Sequence, residues 1–128
     1  MAKKILNVVD VAYRATLEEQ DDPVLWLTHA LKSSGADIAV LLRGAAVNYL
    51  VQAQDAAGLS FGGRAQTQPP QLSSEVSRLI EKGVAVHYLE EDVRERGIAP
   101  QELIAGALPL PRTQQAELLG AFDQVWKW

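Results

Sequence analysis

The chain contains no cysteine. That absence excludes a disulfide scaffold, a thiolate metal site and a cysteine nucleophile together. Basic residues are also scarce. Twelve Lys and Arg stand against sixteen Asp and Glu, for a net charge of −4, and they form no stripe. Nucleic acid is therefore not an expected partner. Long apolar runs are missing as well: nothing approaches the roughly 18 consecutive apolar residues that a membrane span needs. The basic start, Met1-Ala2-Lys3-Lys4, leads into an apolar run that stops at Asp10 with no small-residue cleavage site after it. A strand is expected there in place of a signal peptide, and the cytoplasm as location. Neither G-x-G-x-x-G nor G-x-x-x-x-G-K-[ST] occurs, which removes the dinucleotide and P-loop readings, and no cofactor or metal is expected. Internal repeats and low-complexity tracts are absent too.

What is present is ordinary globular material. The chain has 128 residues, of which 48% are hydrophobic. This predicts one domain over 1–128 with its own core. Lys4 to Val11 (KILNVVDV), Asp37 to Leu42 (DIAVLL) and Val84 to Leu89 (VAVHYL) are rich in branched aliphatics and suit strands buried on both faces. Asp22 followed by Pro23 reads as a helix start, and the helix is expected to run to about Ser34 before Gly35. Further helices are expected over Ala45 to Ala53, from Ser73 or Ser74 to Gly83, over Glu91 to Arg96, Pro100 to Ala105, and Thr113 to about Gly120. Leu108 to Leu110 is a short strand weakened by Pro109 and Pro111, and Asp123 to Trp128 closes as a strand. Gly58 to Pro70 reads as the longest irregular stretch, a flap or a subunit contact. The alternation predicts an α/β three-layer sandwich around a mostly parallel sheet of about five strands. Ligands in such sheets bind beyond the carboxyl ends of the strands, here Val11 to Arg14, Arg43 to Asn48 and Glu90 to Arg96.

The order KILNVVD, ADIAVLLRGAAV, LIEKGVAVHYL, ERGI and DQVWKW resembles the DsrE/DsrF-like family over nearly the whole length. That family includes subunits of the TusBCD and DsrEFH sulfur-relay complexes. The resemblance implies a compact α/β fold and assembly into trimers or hexamers, and a homo-oligomer is expected for this chain. It also implies a sulfur-carrying cysteine just after the third strand, ahead of Arg96-Gly97-Ile98. Leu89 stands where that cysteine would fall, and Asp92 where some relatives carry a second one. Neither side chain forms a persulfide, so sulfur transfer is excluded and the chain is expected not to be an enzyme of that kind.

Several other residues bear chemistry. Arg14, Arg43, Asn48, Tyr88, Glu90, Glu91 and Asp92 are the candidate ligand-binding residues, for a small molecule or an anion. Arg43 suits bidentate anion binding or a salt bridge equally. Glu90 to Asp92 read as a ligand turn, as acid–base carboxylates or as a solvated turn. Glu18, Glu19, Asp21 and Asp22 lack calcium-loop spacing and read as a solvated loop before a helix. Arg64 is a further basic residue near the expected pocket. His29 and His87 read as partly buried histidines. Gly58-Leu59-Ser60-Phe61-Gly62 matches the G-x-S-x-G elbow without the strand-to-helix context that motif needs. Trp26, Trp126 and Trp128 are expected in packing or at an interface, Trp126 and Trp128 on one face of a strand. The apolar helix face around Tyr49 and Leu50 is a second expected subunit contact.

Overall fold

The computed structural model describes residues 3–13, 22–54 and 57–128. Along the chain come β1 (Lys4–Val9), α1 (Pro23–Ser33), β2 (Asp37–Leu42) and a 3-10 helix (Gly44–Leu50). A small hairpin of β3 (Ser60–Phe61) and β4 (Arg64–Ala65) precedes α2 (Leu72–Glu81), β5 (Val86–Leu89) and α3 (Glu90–Glu95). The chain then passes a 3-10 turn (Pro100–Glu102), β6 (Leu108–Leu110), a second 3-10 turn (Arg112–Gln114), α4 (Gln115–Gly120) and β7 (Gln124–Lys127). Five strands form one sheet in the order β6-β5-β2-β1-β7, and each pairing in it is parallel.

Topology decides which face each helix covers. From β1 through β2 and β5 to β6 the chain steps one way across the sheet. The last connection returns past them all to place β7 beside β1. Crossovers keep one hand, so helices stay on one face until the direction reverses. On the front, Val9, Val40, Leu42, Val86 and Tyr88 pack against α1, the 3-10 helix, α2 and Val93 of α3. On the rear, Leu6, Val8, Ala39, Leu41 and Leu89 pack against Leu118, Leu119 and Phe122, in and just after α4. The result is a three-layer α/β sandwich.

Local chemistry explains the element ends and corrects several expectations. Asp22 caps α1 through Oδ1, which accepts from the amides of Val24 (2.8 Å) and Leu25 (3.3 Å), with Pro23 in the first helical position. Asp22 is wholly buried, not solvated, because its second oxygen is also bound within the fold. Glu18, Glu19 and Asp21 lie outside the described residues. Neither Ser73 nor Ser74 caps α2, which starts one residue earlier at Leu72. The stretch 58–70 is not wholly irregular. Gly62 and Gly63 both take positive φ (54° and 82°), as a two-residue hairpin turn requires, and fold β3 onto β4. Pro109 is tolerated because β6 is an edge strand. Tyr49 and Leu50 are fully buried in the front core, so they offer no contact to another chain. Trp126 and Trp128 share the face of Asn7, as strand alternation predicts. Trp128 Nε1 donates to Asn7 Oδ1 (3.0 Å), and Asn7 Nδ2 donates to Thr28 Oγ1 of α1 (2.9 Å). The tail thus docks on its own chain, although Trp128 stays 39% exposed and Trp26 57%.

Candidate functional site

The carboxyl edge of the sheet carries two charge clusters. Val9 of β1 is in register with Leu42 of β2, so Asp10 and Arg43 leave the sheet side by side. Arg43 forks onto Asp10, Nε to Oδ1 at 2.5 Å and Nη2 to Oδ2 at 3.3 Å, and Nη1 reaches Gln115 Oε1 of α4 at 3.0 Å. Lys127 Nζ stands 3.5 Å from Asp10 Oδ2 on the other side. The second cluster forms where α3 follows β5 directly. Asp92 Oδ2 accepts the Gly44 amide (2.7 Å), and Asp92 Oδ1 takes Arg112 Nη2 (2.6 Å). Gly44 holds φ +57°, a left-handed conformation that a side chain would strain. Glu91 accepts the Arg112 amide on both oxygens (3.0 and 2.9 Å), and Glu95 Oε1 lies 3.3 Å from Arg112 Nη2. The Arg112 guanidinium is held above its ordinary pKa, chiefly by the hydrogen bond to Asp92.

The candidate residues therefore divide. Arg43, Glu91 and Asp92 are spent on these clusters. Tyr88 and Glu90 line a separate cavity of about 330 Å³ on the front, together with Val93, Arg94, Ile98 and Leu103. Burial, and then the charge of Glu90, pushes the Tyr88 phenol above its usual pKa. Asn48 offers its carbonyl to Gln54 Nε2 (2.6 Å) and is in neither group. Arg14 lies outside the described residues. Leu89 is only 3% exposed and sits in the rear core.

A third polar group lies beneath the front surface. The Tyr49 hydroxyl donates to Asp22 Oδ2 and accepts from the Tyr13 amide (2.5 Å), while the Asp22 amide donates to Glu75 Oε2 of α2 (2.9 Å). Tyr13 holds φ +62° and sets its ring edge-on to Tyr49 at 5.4 Å. Burial and then Asp22 push the Tyr49 pKa far up, so the phenol stays a neutral donor. This group ties Tyr13 to the 3-10 helix, to the Asp22 cap of α1 and to α2. His87 is half-buried on the rear between Leu41 and Leu108, and burial lowers its pKa. Among the described residues no three His, Asp or Glu gather as a metal site. Ser60 begins an exposed hairpin strand, which is no nucleophile elbow.

Sequence reasoning missed Asp10, Arg112, Gln115 and Tyr49. One signal was available: the adjacent strands KILNVV and DIAVLL each end on a charge, Asp10 and Arg43, of opposite sign. Arg112 and Gln115 depend on how α4 crosses the rear, which no local pattern records.

No protein-family model matches this chain, and no curated protein resembles it in sequence. Solved structures do match in shape. The YchN protein of E. coli superposes with a TM-score of 0.74 at 21% identity, over 98% of this chain and 99% of that one. The fold is DsrE/DsrF-like. A protein of unknown function from Bacteroides thetaiotaomicron, BT1422, shares the DsrE/DsrF-like fold with a TM-score of 0.68 at 14% identity, over 98% and 95% of the two chains. MTH1491 of Methanobacterium thermoautotrophicum, also of unknown function, gives 0.62 at 14%, over 98% and 99%. On this DsrE/DsrF-like frame the chain has no cysteine anywhere, which excludes a persulfide-cysteine transfer mechanism. No helix among the described residues is long and apolar enough to cross a membrane.

Proposed function

We propose that this protein is a non-catalytic, single-domain DsrE-like subunit that works by assembly, as a cytoplasmic binding or scaffold component associated with sulfur metabolism. The observation that carries the reading is Leu89. The resemblance puts it where relatives hold a sulfur-carrying cysteine. Here it is an aliphatic residue packed beneath α4 and closed from solvent. The neighbouring carboxylates support the same reading, since Glu91 and Asp92 hold Arg112 and the turn before α4 in place. An anion at Arg43 would have to displace the Asp10 fork.

Assembly into a homotrimer or hexamer is part of the proposal. Its symmetry comes from the resemblance; its physical support is exposed apolar surface. Val125 and Leu108 flank α4 on the rear at 43% and 44% exposure, and Phe61 of the hairpin is 67% exposed. Light scattering on the purified protein at micromolar concentration should give a mass of three or six chains. A monomer mass would overturn the assembly reading. Incubation with a cysteine desulfurase and its substrate should add no sulfur to the intact mass, and a stable gain of one sulfur atom would overturn the non-catalytic reading.

A further inference from the structure

The front cavity belongs neither to the ion-pair clusters nor to the Tyr49 group. It opens where α3 leaves β5, and much of its lining is apolar: Val93, Ile98, Pro100, Leu103 and Pro109, with the Tyr88 phenol beside them. Glu90 and Arg94 also line it. They are four residues apart on α3, so they stand on one side of the helix one turn apart. That spacing, acid before base, commonly closes into an ion pair. Here it does not: among the described residues the side chains of Glu90 and Arg94 make no hydrogen bond and no ion pair. The contrast with Arg43 and Arg112, each paired with a carboxylate, is direct. The volume, about 330 Å³, is at the small end of the roughly 300–1,000 Å³ of ligand sites, which limits the occupant to a compact molecule.

We infer that this cavity binds a zwitterion with a small apolar body, of the α-amino acid class. Glu90 takes the ammonium, Arg94 takes the carboxylate, and the side chain lies against Val93, Ile98 and Leu103. A simple anion would use Arg94 alone, and a neutral apolar molecule would leave Glu90 and the exposed Arg94 to water. A ligand carrying both signs beside an apolar group uses the whole lining.

The test is a titration of the isotope-labelled protein with L-leucine, followed by amide chemical shifts. Saturable shifts are expected at Tyr88, Val93, Ile98 and Leu103. Isoamylamine, 4-methylpentanoate and glycine each lack one of the three features and should bind roughly tenfold more weakly or worse, the loss expected for one charged contact or the apolar group. Glu90→Gln should make leucine no better than 4-methylpentanoate, and Arg94→Gln no better than isoamylamine. Ile98→Trp fills the cavity and should abolish the shifts, with circular dichroism reporting that the chain stays folded. No saturable shift up to about 10 mM leucine would overturn the proposal. Equal binding of all four compounds, or shifts centred on Arg43 and Asp92, would overturn it as well. If Ile98→Trp unfolds the chain, the Glu90→Gln and Arg94→Gln comparisons decide alone, and unchanged selectivity in both overturns it.

Discussion

The front and rear of the sheet are built to different standards. The front carries α1, the 3-10 helix, α2 and part of α3, and its core holds fully buried residues from every one of the first three elements. Among the described residues the rear is covered by one six-residue helix, and the packing partners Leu110, Leu118, Leu119 and Phe122 are only partly buried. The cause is topological, since three successive steps in one direction load one face and a single return step serves the other. The lesson is that this chain's stability rests on the front, while the rear has apolar surface to spare.

Truncations sharpen that contrast most. Leu79→Ala on the front and Leu89→Ala on the rear both fall in the ~2–5 kcal/mol range of core leucines. The front change should sit near the top of the range and the rear one near the bottom, because thin rear cover can settle into the gap. Urea denaturation of both variants measures this, and equal costs would break the comparison. Leu89→Cys probes the rear by access. With Leu89 closed from water, the new thiol should react with a disulfide reagent roughly a hundredfold or more slower than one placed by Val125→Cys. A fast Leu89→Cys thiol would mean that α4 opens readily.

The front polar group gives a middle-sized effect. Tyr49→Phe removes the donor to Asp22 and the acceptor for the Tyr13 amide. A loss of about 1–3 kcal/mol is expected, since buried groups are left unmatched. A shift below the noise of the denaturation curve would show that water replaces the hydroxyl. The smallest effect is expected at His87. Burial depresses its folded pKa below the ordinary 6.5, so the unfolded chain takes up the proton first. Its contribution is complete above pH 6.5 and is lost as pH falls from there toward the folded value. Thermal melts from pH 7.5 to 5 should fall less steeply for His87→Gln than for the parent, and parallel slopes would count against a buried neutral imidazole.

How much of this was legible beforehand follows physical lines. Strands such as DIAVLL and the Asp22-Pro23 helix start are local signals, and both appear where expected. Tyr49 and Leu50 looked like a free apolar face because a sequence does not say which side of a short helix meets the sheet. The Gly62-Gly63 hairpin was hidden inside a stretch that read as irregular, because flanks of two residues each give no strand periodicity. The candidate site divided because Tyr88 and Leu89 alternate across the sheet, one toward the front cavity and the other toward the rear core. Glu90 to Asp92, in turn, spread around a helix. Neighbours in sequence were separated by the periods of 2 and 3.6 that built the elements.

The docking of β7 on β1 has a consequence for the order of folding. The contacts that fasten it join residues about 120 positions apart, Lys4 to Asp123 and Asn7 to Trp128. Loop closure over that span is costly in entropy and is repaid only when much of the intervening chain is already compact. Until then β1 is a bare, flat, aliphatic edge, the kind that recruits strands from other molecules. Residues 123–128 therefore act as a closing seam, and the interval before they dock is the chain's period of greatest exposure to aggregation.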